Sequence, residues 1–381
     1  MKQSKGYENG SMKVCRLLKS LYGLKQAPRC WNQRLTVFLS SCGLRESQAD
    51  PCLYMNLKAD SKLLVGIYVD DGLIAATKNE DIKMLLEQMK AEFEMTVSEE
   101  VTGFLGFEIC QQENGIFVHQ AGYAKKVLKR FEMDDCKSIK TPIDTNWSTD
   151  DNEDVTGQVP YREAVGNLMY LMVVSRPDIA FAINVASHAL EKPTTAHWKL
   201  VKRILRYIKG TLNTGLLYKN KDYKDEMMTY SDADYAGDKQ TRKSTTGIVC
   251  KNAGAAIIWK SKLQSCIAQS TTEAEYIAAS TAAKEIVWLK LLLKDLGVNI
   301  QTPILYVDNQ SAIKLMRNPE FHQRTKHIDV RYHFIRDLVE KDEIGIEYVG
   351  SEDQEADGMT KGLTTTKFNA MKDNIGLKEL K

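Results

Sequence analysis

MMTYSDADYAGDKQTRKSTTGIVCKNAGAAIIWKSKLQSCIAQSTTEAEYIAAS (residues 227–280) decides how the C-terminal half of this chain is read. MMTYSD, TTGIVC and AAIIW are strand-like runs separated by turn-forming residues. They lead into a segment from Thr272 to about Leu296 with helical periodicity. Further on come the strand PILYV, a helix from Asn309, another over about 326–340, the strand EIGIEYV, and a short helix near Gln354 to Lys361. The predicted order is three strands, helix, strand, helices, strand, helix.

Four acidic residues are spread over that order. Asp232 ends the first strand run, where Asp234 is an equal candidate and a turn aspartate is the plain alternative. Glu275 stands at the head of the long helix. There Thr272/Glu275 and Ser270/Glu273 both fit the S/T-x-x-E capping box, so capping competes with a ligand role. Asp308 follows ILYV, at the carboxyl end of a strand where α/β sheets place ligands, with a helix N-cap as the alternative. Asp357, in QEADGMTK, would pass for a surface residue on its own. Carboxylates converging from separate elements are what two-metal phosphodiester hydrolysis needs.

Working outward, residues 13–135 alternate strand-like runs (LLVGIYV, GIFVH) with helical periods (IKMLLEQMKAEFEM), a mixed α+β pattern. The polar stretch Thr141 to Gly157 is a linker candidate, and 160–210 reads almost wholly helical. Within it Trp198, Val201, Leu205 and Ile208 recur at helical spacing, Lys199, Lys202, Arg203, Arg206 and Lys209 fall mainly on another face, and Gly210 is a C-cap candidate. The basic stripe reads either as a solvated face or as a phosphate-tracking one. KNKDYKDE (219–226) marks a second break.

The 381 residues allow two or three domains, and 43% hydrophobic with 27% charged residues describes a globular chain. The net charge of +2 does not itself point to nucleic acid, so local stripes must carry that reading. Eight cysteines form no CxxC pair and no Cys/His ligand spacing, which leaves zinc and redox motifs without support and fits reduced thiols in an intracellular compartment. The N-terminus has no apolar signal core, and stretches such as Ile286 to Leu293 fall short of a membrane span. The expectation is a chain that is neither secreted nor membrane-bound.

TYSDADYAGD, STTGIVC, WKSKLQS, STTEAEYIAAS, YVDNQSAI, NPEFHQRTKHIDVRYHFIR and QEADGMTKGL, in that order, resemble the ribonuclease H domain of copia-type retrotransposon Pol polyproteins. Upstream, LLKSLYGLKQAPRCWN, GIYVDDGLI and GFLGFEI resemble the reverse transcriptase of the same polyproteins, and YREAVGNLMYLMVVSRPDIAFAINVASHAL with HWKLVKRILRYIKGT resembles the connecting region. The resemblance covers nearly the whole chain. It implies a multidomain α+β and α/β fold: a truncated reverse transcriptase palm and thumb over 1–140, a linker and helical connection over 141–222, and a ribonuclease H-like domain with a mixed five-stranded sheet over 223–381.

The same resemblance gives Asp232, Glu275, Asp308 and Asp357 the role of holding two Mg²⁺ ions, with Mn²⁺ as an alternative, for cleavage of the RNA strand of an RNA–DNA hybrid. Lys199, Lys202, Arg203 and Arg206, with Arg324, Lys326, His327 and Arg331, are candidate phosphate contacts; salt bridging to Glu320, Asp329 or Asp337 is the alternative for the second group. Self-association or association with other Pol products, in the cytoplasm (in virus-like particles) or the nucleus, belongs to the same expectation.

For the polymerase half, Asp71-Gly72 alone is a tight-turn signal, and the resemblance makes Asp70 and Asp71 two of three metal-binding carboxylates. The third lies in an earlier strand of the family, upstream of the segment in which this chain opens at MKQSKGY, with Ser4 at the usual proline. DNA synthesis by this chain alone is therefore not expected. Many ribonucleases H carry a histidine in the loop before the last aspartate; YVGSEDQEAD offers Ser351 and Glu352, with Glu352 as a substitute. Two alternatives stand beside the nuclease: an inactive nucleic-acid-binding remnant, and a fragment of a complete RNA-directed DNA polymerase. Residues 1–135, with strands such as LLVGIYV left exposed, are expected to be the less stable part.

Overall fold

The computed structural model describes residues 3, 5–8, 10–11, 13–98, 100–148, 153, 159–220, 227–298, 300–317 and 333–380. They form two compact units, Met1–Val97 with Asp295–Gly297, and Ser98–Lys294 with Val298–Lys381. The chain is mixed α/β throughout.

In the first unit, α1 (Ala27–Ser41) has Pro28 in its opening turn, where the absent N–H would have had no helical partner. A fully antiparallel sheet follows in chain order: β1 (Arg45–Glu46), β2 (Leu53–Leu57), β3 (Lys62–Tyr68) and β4 (Asp71–Ala76). Leu63 and Val65 of β3 alternate inward to join Leu35 and Leu39 of α1 and Leu85 and Met89 of α2 (Asn79–Glu92). The turn between β3 and β4 differs from the predicted one. Tyr68 lies opposite Asp71, so the two connecting residues are Val69 and Asp70 rather than Asp71 and Gly72. Val69 has φ +58, a left-handed conformation unusual for a β-branched side chain.

The second unit holds two five-stranded sheets. One contains β5 (Gly103–Phe104), β6 (Phe107–Gln112), β7 (Gly115–His119), β8 (Thr214–Lys219) and β14 (Leu377–Glu379), antiparallel in the order β14-β8-β7-β6-β5. The expected boundaries at 140/141 and 222/223 fall inside this unit, because β7 pairs with β8 and β8 with β14. Strand pairing joins chain segments that composition alone separates.

Between β7 and β8 lie α3 (Ala121–Arg130) and then α4 (Tyr161–Val174), α5 (Ala180–Ser187) and α6 (Thr195–Lys209), the last three being the helical stretch read over 160–210. Leu200, Val201, Ile204, Leu205 and Ile208 form the buried stripe of α6. Gly210 does end α6, but with φ −79, not the left-handed cap geometry. A Cβ there would sit 2.9 Å from Ser138 Cβ, so close approach explains the glycine. Beneath α6, Arg176 is 2% exposed and pairs with Asp178 at 2.8 Å; the Tyr207 hydroxyl donates to Asp178 (2.5 Å), and Arg176 donates to the Thr211 carbonyl.

The second sheet has β9 (Met228–Asp234), β10 (Thr245–Asn252) and β11 (Ala255–Leu263) running antiparallel, then α7 (Thr271–Asp295), β12 (Ile304–Val307), α8 (Gln310–Arg317), α9 (Phe334–Glu340) and β13 (Gly345–Tyr348). Its order is β11-β10-β9-β12-β13, with β12 parallel to both β9 and β13. α4 to α6 share one core with Tyr230, Val249 and Tyr306 of this sheet; α7, α8 and α9 share the other with Ile248, Leu305 and Val307. Where a short helix over Gln354 to Lys361 was predicted, the chain makes a 3-10 turn at Asp357–Met359, followed by α10 (Thr365–Asn374).

Candidate functional site

Because β9 and β12 are parallel and Ser231 pairs with Val307, Asp232, still within β9, and Asp308, just past the end of β12, stand one residue beyond the same rung on neighbouring strands. α7 brings Glu275 over them. One carboxylate oxygen from each of Asp232, Glu275 and Asp308 lies within 4.8 Å of the others. Asp232 and Glu275 are buried, and Asp308 is half-buried.

The alternatives raised by the sequence are occupied by neighbours. Ser270 and Glu273 cap α7: the Glu273 N–H donates to Ser270 Oγ at 3.1 Å, and the Gln269 N–H donates to Glu273 Oε2 at 2.8 Å. Glu275 is thereby released from capping. Asn309 caps α8, its Oδ1 accepting from the Ala312 N–H at 2.9 Å, which releases Asp308. Asp234 accepts the Thr245 N–H and lies against Gly237, where a Cβ would collide with its carboxylate. It closes the β9–β10 connection, and Asp232 joins the cluster instead.

Asp357 flanks this group on a turn tied to the sheet. Gln354 Nε2 donates to the Ser231 carbonyl at 3.0 Å, and the Thr360 hydroxyl donates to Asp232 Oδ2. The buried pair Lys251–Glu355 closes to 2.6 Å. Gly247 of β10 permits the approach, since a Cβ there would come within 2.9 Å of the Ala356 carbonyl, Met359 and Thr360. The Lys361 ammonium is 2.8 Å from Asp357 Oδ1.

Burial is the largest force pushing the Glu275 carboxyl above its ordinary range, followed by the charges of Asp232 and Asp308. Asp232 and Asp357 are raised first by burial and then by neighbouring carboxylates, against the opposing effects of Thr360 on Asp232 and of Lys361 on both. The Lys361 ammonium is held charged by Asp357, Asp232 and Asp308 against its own desolvation. Glu275 Oε2 is buried without a hydrogen-bond partner among the described residues. An orphaned carboxylate oxygen among like charges fits a divalent cation with hard oxygen ligands.

Other predicted site residues are placed differently. Asp70 and Asp71 are exposed on the β3–β4 hairpin, where the Trp31 indole donates to the Val69 carbonyl at 2.6 Å, and among the described residues they join no three-carboxylate group. On α6, Lys199 and Lys202 are exposed. Arg203 pairs with Asp144 at 2.7 Å and Arg206 donates to the Lys137 carbonyl at 2.8 Å, so these two fasten the segment after α3. Arg324, Lys326, His327 and Arg331 lie outside the described residues. Ser351 donates to Asp308 Oδ2 at 3.1 Å, and Glu352 pairs with Lys367 at 3.1 Å. The sequence reading missed Thr360 and Lys361, although both stand in the quoted QEADGMTKGL, three and four residues after Asp357.

Residues 1–145 match the family profile described as reverse transcriptase (RNA-dependent DNA polymerase). The chain is 40% identical to the retrovirus-related Pol polyprotein from transposon TNT 1-94 of Nicotiana tabacum, over 99% of this chain and 29% of that protein. It is 37% identical to the Pol polyprotein from transposon RE1 of Arabidopsis thaliana, over 96% of this chain and 25% of that protein. The Saccharomyces cerevisiae protein named "Putative transposon Ty5-1 protein" is 30% identical over 75% of this chain and 94% of its own length. The chain thus spans between 25% and 29% of the two Pol polyproteins.

Proposed function

This chain belongs to the Pol family of copia-type retrotransposons, with a reverse transcriptase region at its start, and on that premise we propose that its C-terminal half is a metal-dependent ribonuclease H. The supporting observation is the convergence of Asp232, Glu275 and Asp308 from β9, α7 and the end of β12, flanked by Asp357. The chain order β9, β10, β11, α7, β12, α8, α9, β13 follows the element order read from the sequence for that fold. On this reading 1–140, 141–222 and 223–381 are divisions of function rather than of compactness.

Asp232, Glu275, Asp308 and Asp357 would hold two Mg²⁺ ions, or Mn²⁺ in their place. Bound there, the ions supply an activated water and stabilise the leaving 3′ oxygen. The carboxylates bring the negative charge and the hard oxygens. Lys361 offsets part of that charge beside Asp357. Lys199 and Lys202 are the α6 residues best exposed to neutralise phosphates. The preferred substrate is the RNA strand of an RNA–DNA hybrid, since a 2′-OH tells the strands apart. No helix among the described residues is long and apolar enough to cross a membrane, and an intracellular site of action, cytoplasmic or nuclear, is part of the proposal.

The test is a substrate panel of RNA–DNA hybrid, duplex RNA and duplex DNA incubated with Mg²⁺. The parent chain should cut the RNA of the hybrid and leave both duplexes intact, while Asp308→Asn should fall to background. Equal cleavage by parent and variant would reject the nuclease and favour a nucleic-acid-binding remnant.

A further inference from the structure

Each carboxylate of the cluster has one oxygen engaged by a protein group. Glu275 Oε1 accepts the Ala233 N–H at 3.2 Å, Asp308 Oδ2 accepts the Ser351 hydroxyl at 3.1 Å, and Asp357 Oδ1 faces Lys361 at 2.8 Å. Asp232 Oδ2 is engaged by the Thr360 hydroxyl. Of these four neighbouring groups Thr360 is set apart by its setting. It is 1% exposed, it belongs to the same turn as Asp357, and its hydroxyl also lies 3.0 Å from the Asp357 carbonyl. A hydroxyl has one proton to give, and an ionised carboxylate is a stronger acceptor than a carbonyl. The proton therefore goes to Asp232.

We propose that Thr360 is a positioning residue for the metal centre: by donating to Asp232 Oδ2 it fixes the carboxylate, would leave the other oxygen, Oδ1, for a bound cation, and links the Asp232 strand to the Asp357 turn. This rests on the ribonuclease H reading above. Three observations support a role beyond packing. A buried hydroxyl with an apolar alternative of the same shape available has been placed on a carboxylate. The donor and the flanking Asp357 share one turn, so the contact sets the separation of two ligands from distant parts of the chain. That turn is independently fastened by Gln354 to the Ser231 carbonyl and by Lys251 to Glu355, so the hydroxyl is not needed merely to hold the backbone down. Partners that orient a ligand in this way typically change metal affinity by roughly 10–100-fold when removed.

The experiment compares parent, Thr360→Val, which keeps the shape and loses the hydroxyl, and Thr360→Ser, which keeps the hydroxyl. Mn²⁺ and Mg²⁺ binding to the full chain is read by calorimetry, and hybrid cleavage is read as a function of Mg²⁺ concentration. Thr360→Val should weaken ion binding by roughly tenfold or more and shift the cleavage curve to higher Mg²⁺ by the same factor, with Thr360→Ser restoring both. Melting of all three proteins in chelator separates a misfolded variant from a mispositioned ligand; if Thr360→Val melts early, Thr360→Ala and Thr360→Ser provide the comparison. Unchanged ion affinity in a folded hydroxyl-less variant would overturn the proposal, as would loss of affinity in Thr360→Ser equal to that in Thr360→Val. A parent that binds the ions and cuts no hybrid would instead count against the nuclease reading while leaving the Thr360 comparison readable.

Discussion

At the residue scale, the cluster carries stored repulsion. Asp232 and Glu275 have carboxyl groups raised first by burial and then by neighbouring carboxylates, Asp357 and Asp308 acting on Asp232, and Asp232 and Asp308 on Glu275. A carboxyl whose folded value lies above its unfolded one binds a proton on folding, so the metal-free protein loses stability as pH rises from about 4 through the raised values. Asp232→Asn should therefore raise the melting temperature in chelator at about pH 8, by a few degrees if the relief is about 1 kcal/mol, with little effect near pH 4. The same variant should lose cleavage, an exchange of function for stability common in active sites. Melting curves at the two pH values check the sign. Asp178 is the opposite case. Burial alone would raise it, but the Arg176 guanidinium and the Tyr207 hydroxyl outweigh burial and lower it. Its contribution is fully present above the unfolded carboxylate value near 4 and fades as pH falls through the lower folded one. Asp178→Asn strands a buried guanidinium and should cost about 3–5 kcal/mol at neutral pH in a denaturant titration, with the deficit narrowing in acid.

At the element scale, the identities of the helix caps separate ligand from scaffold. Ser270 and Glu273 satisfy the first turn of α7, so Ser270→Ala should cost about 1 kcal/mol of stability while leaving the metal dependence of cleavage unchanged. A fall in metal affinity in that variant would mean that the helix start positions Glu275. Sequence periodicity showed α6, the length of α7 and the order along the chain of the strands and helices of the second sheet, because those segments repeat an apolar pattern. It could not choose between Thr272/Glu275 and Ser270/Glu273, since both spacings satisfy the same rule and only the three-dimensional course of the helix distinguishes them. It also placed the β3–β4 turn two residues late. Asp71-Gly72 carries the stronger turn chemistry, yet the strand register puts Val69 and Asp70 at the bend. Gln354 to Lys361 failed as a helix because the turn is shaped by contacts to Ser231, Asp232 and Lys251, which are distant in sequence.

At the scale of the whole molecule, the two halves carry different amounts of chemistry. The second unit brings Asp232, Glu275 and Asp308 together with Asp357 beside them, four residues that the order of their motifs had already singled out. Thr360 and Lys361 were not, because their roles depend on where the turn docks. The first unit leaves Asp70 and Asp71 exposed without a third carboxylate among the described residues. Purified chain should therefore fail to extend a primer on an RNA template, and templated incorporation would overturn that expectation. Apolar exposure in this unit is highest before α1, at Tyr7, Leu18 and Tyr22 (85%, 95% and 100%), while in the run LLVGIYV Leu63 and Val65 are buried and Tyr68 and Val69, at its end, are exposed. Limited proteolysis should accordingly cut before α1 first and spare β9 to β13 longest. Anomalous diffraction from crystals soaked in Mn²⁺ would locate any ion directly. Peaks bounded by Asp232, Glu275 and Asp308, with a further one beside Asp357, are the expected result; saturating Mn²⁺ with no density at those carboxylates would contradict the assignment of this site.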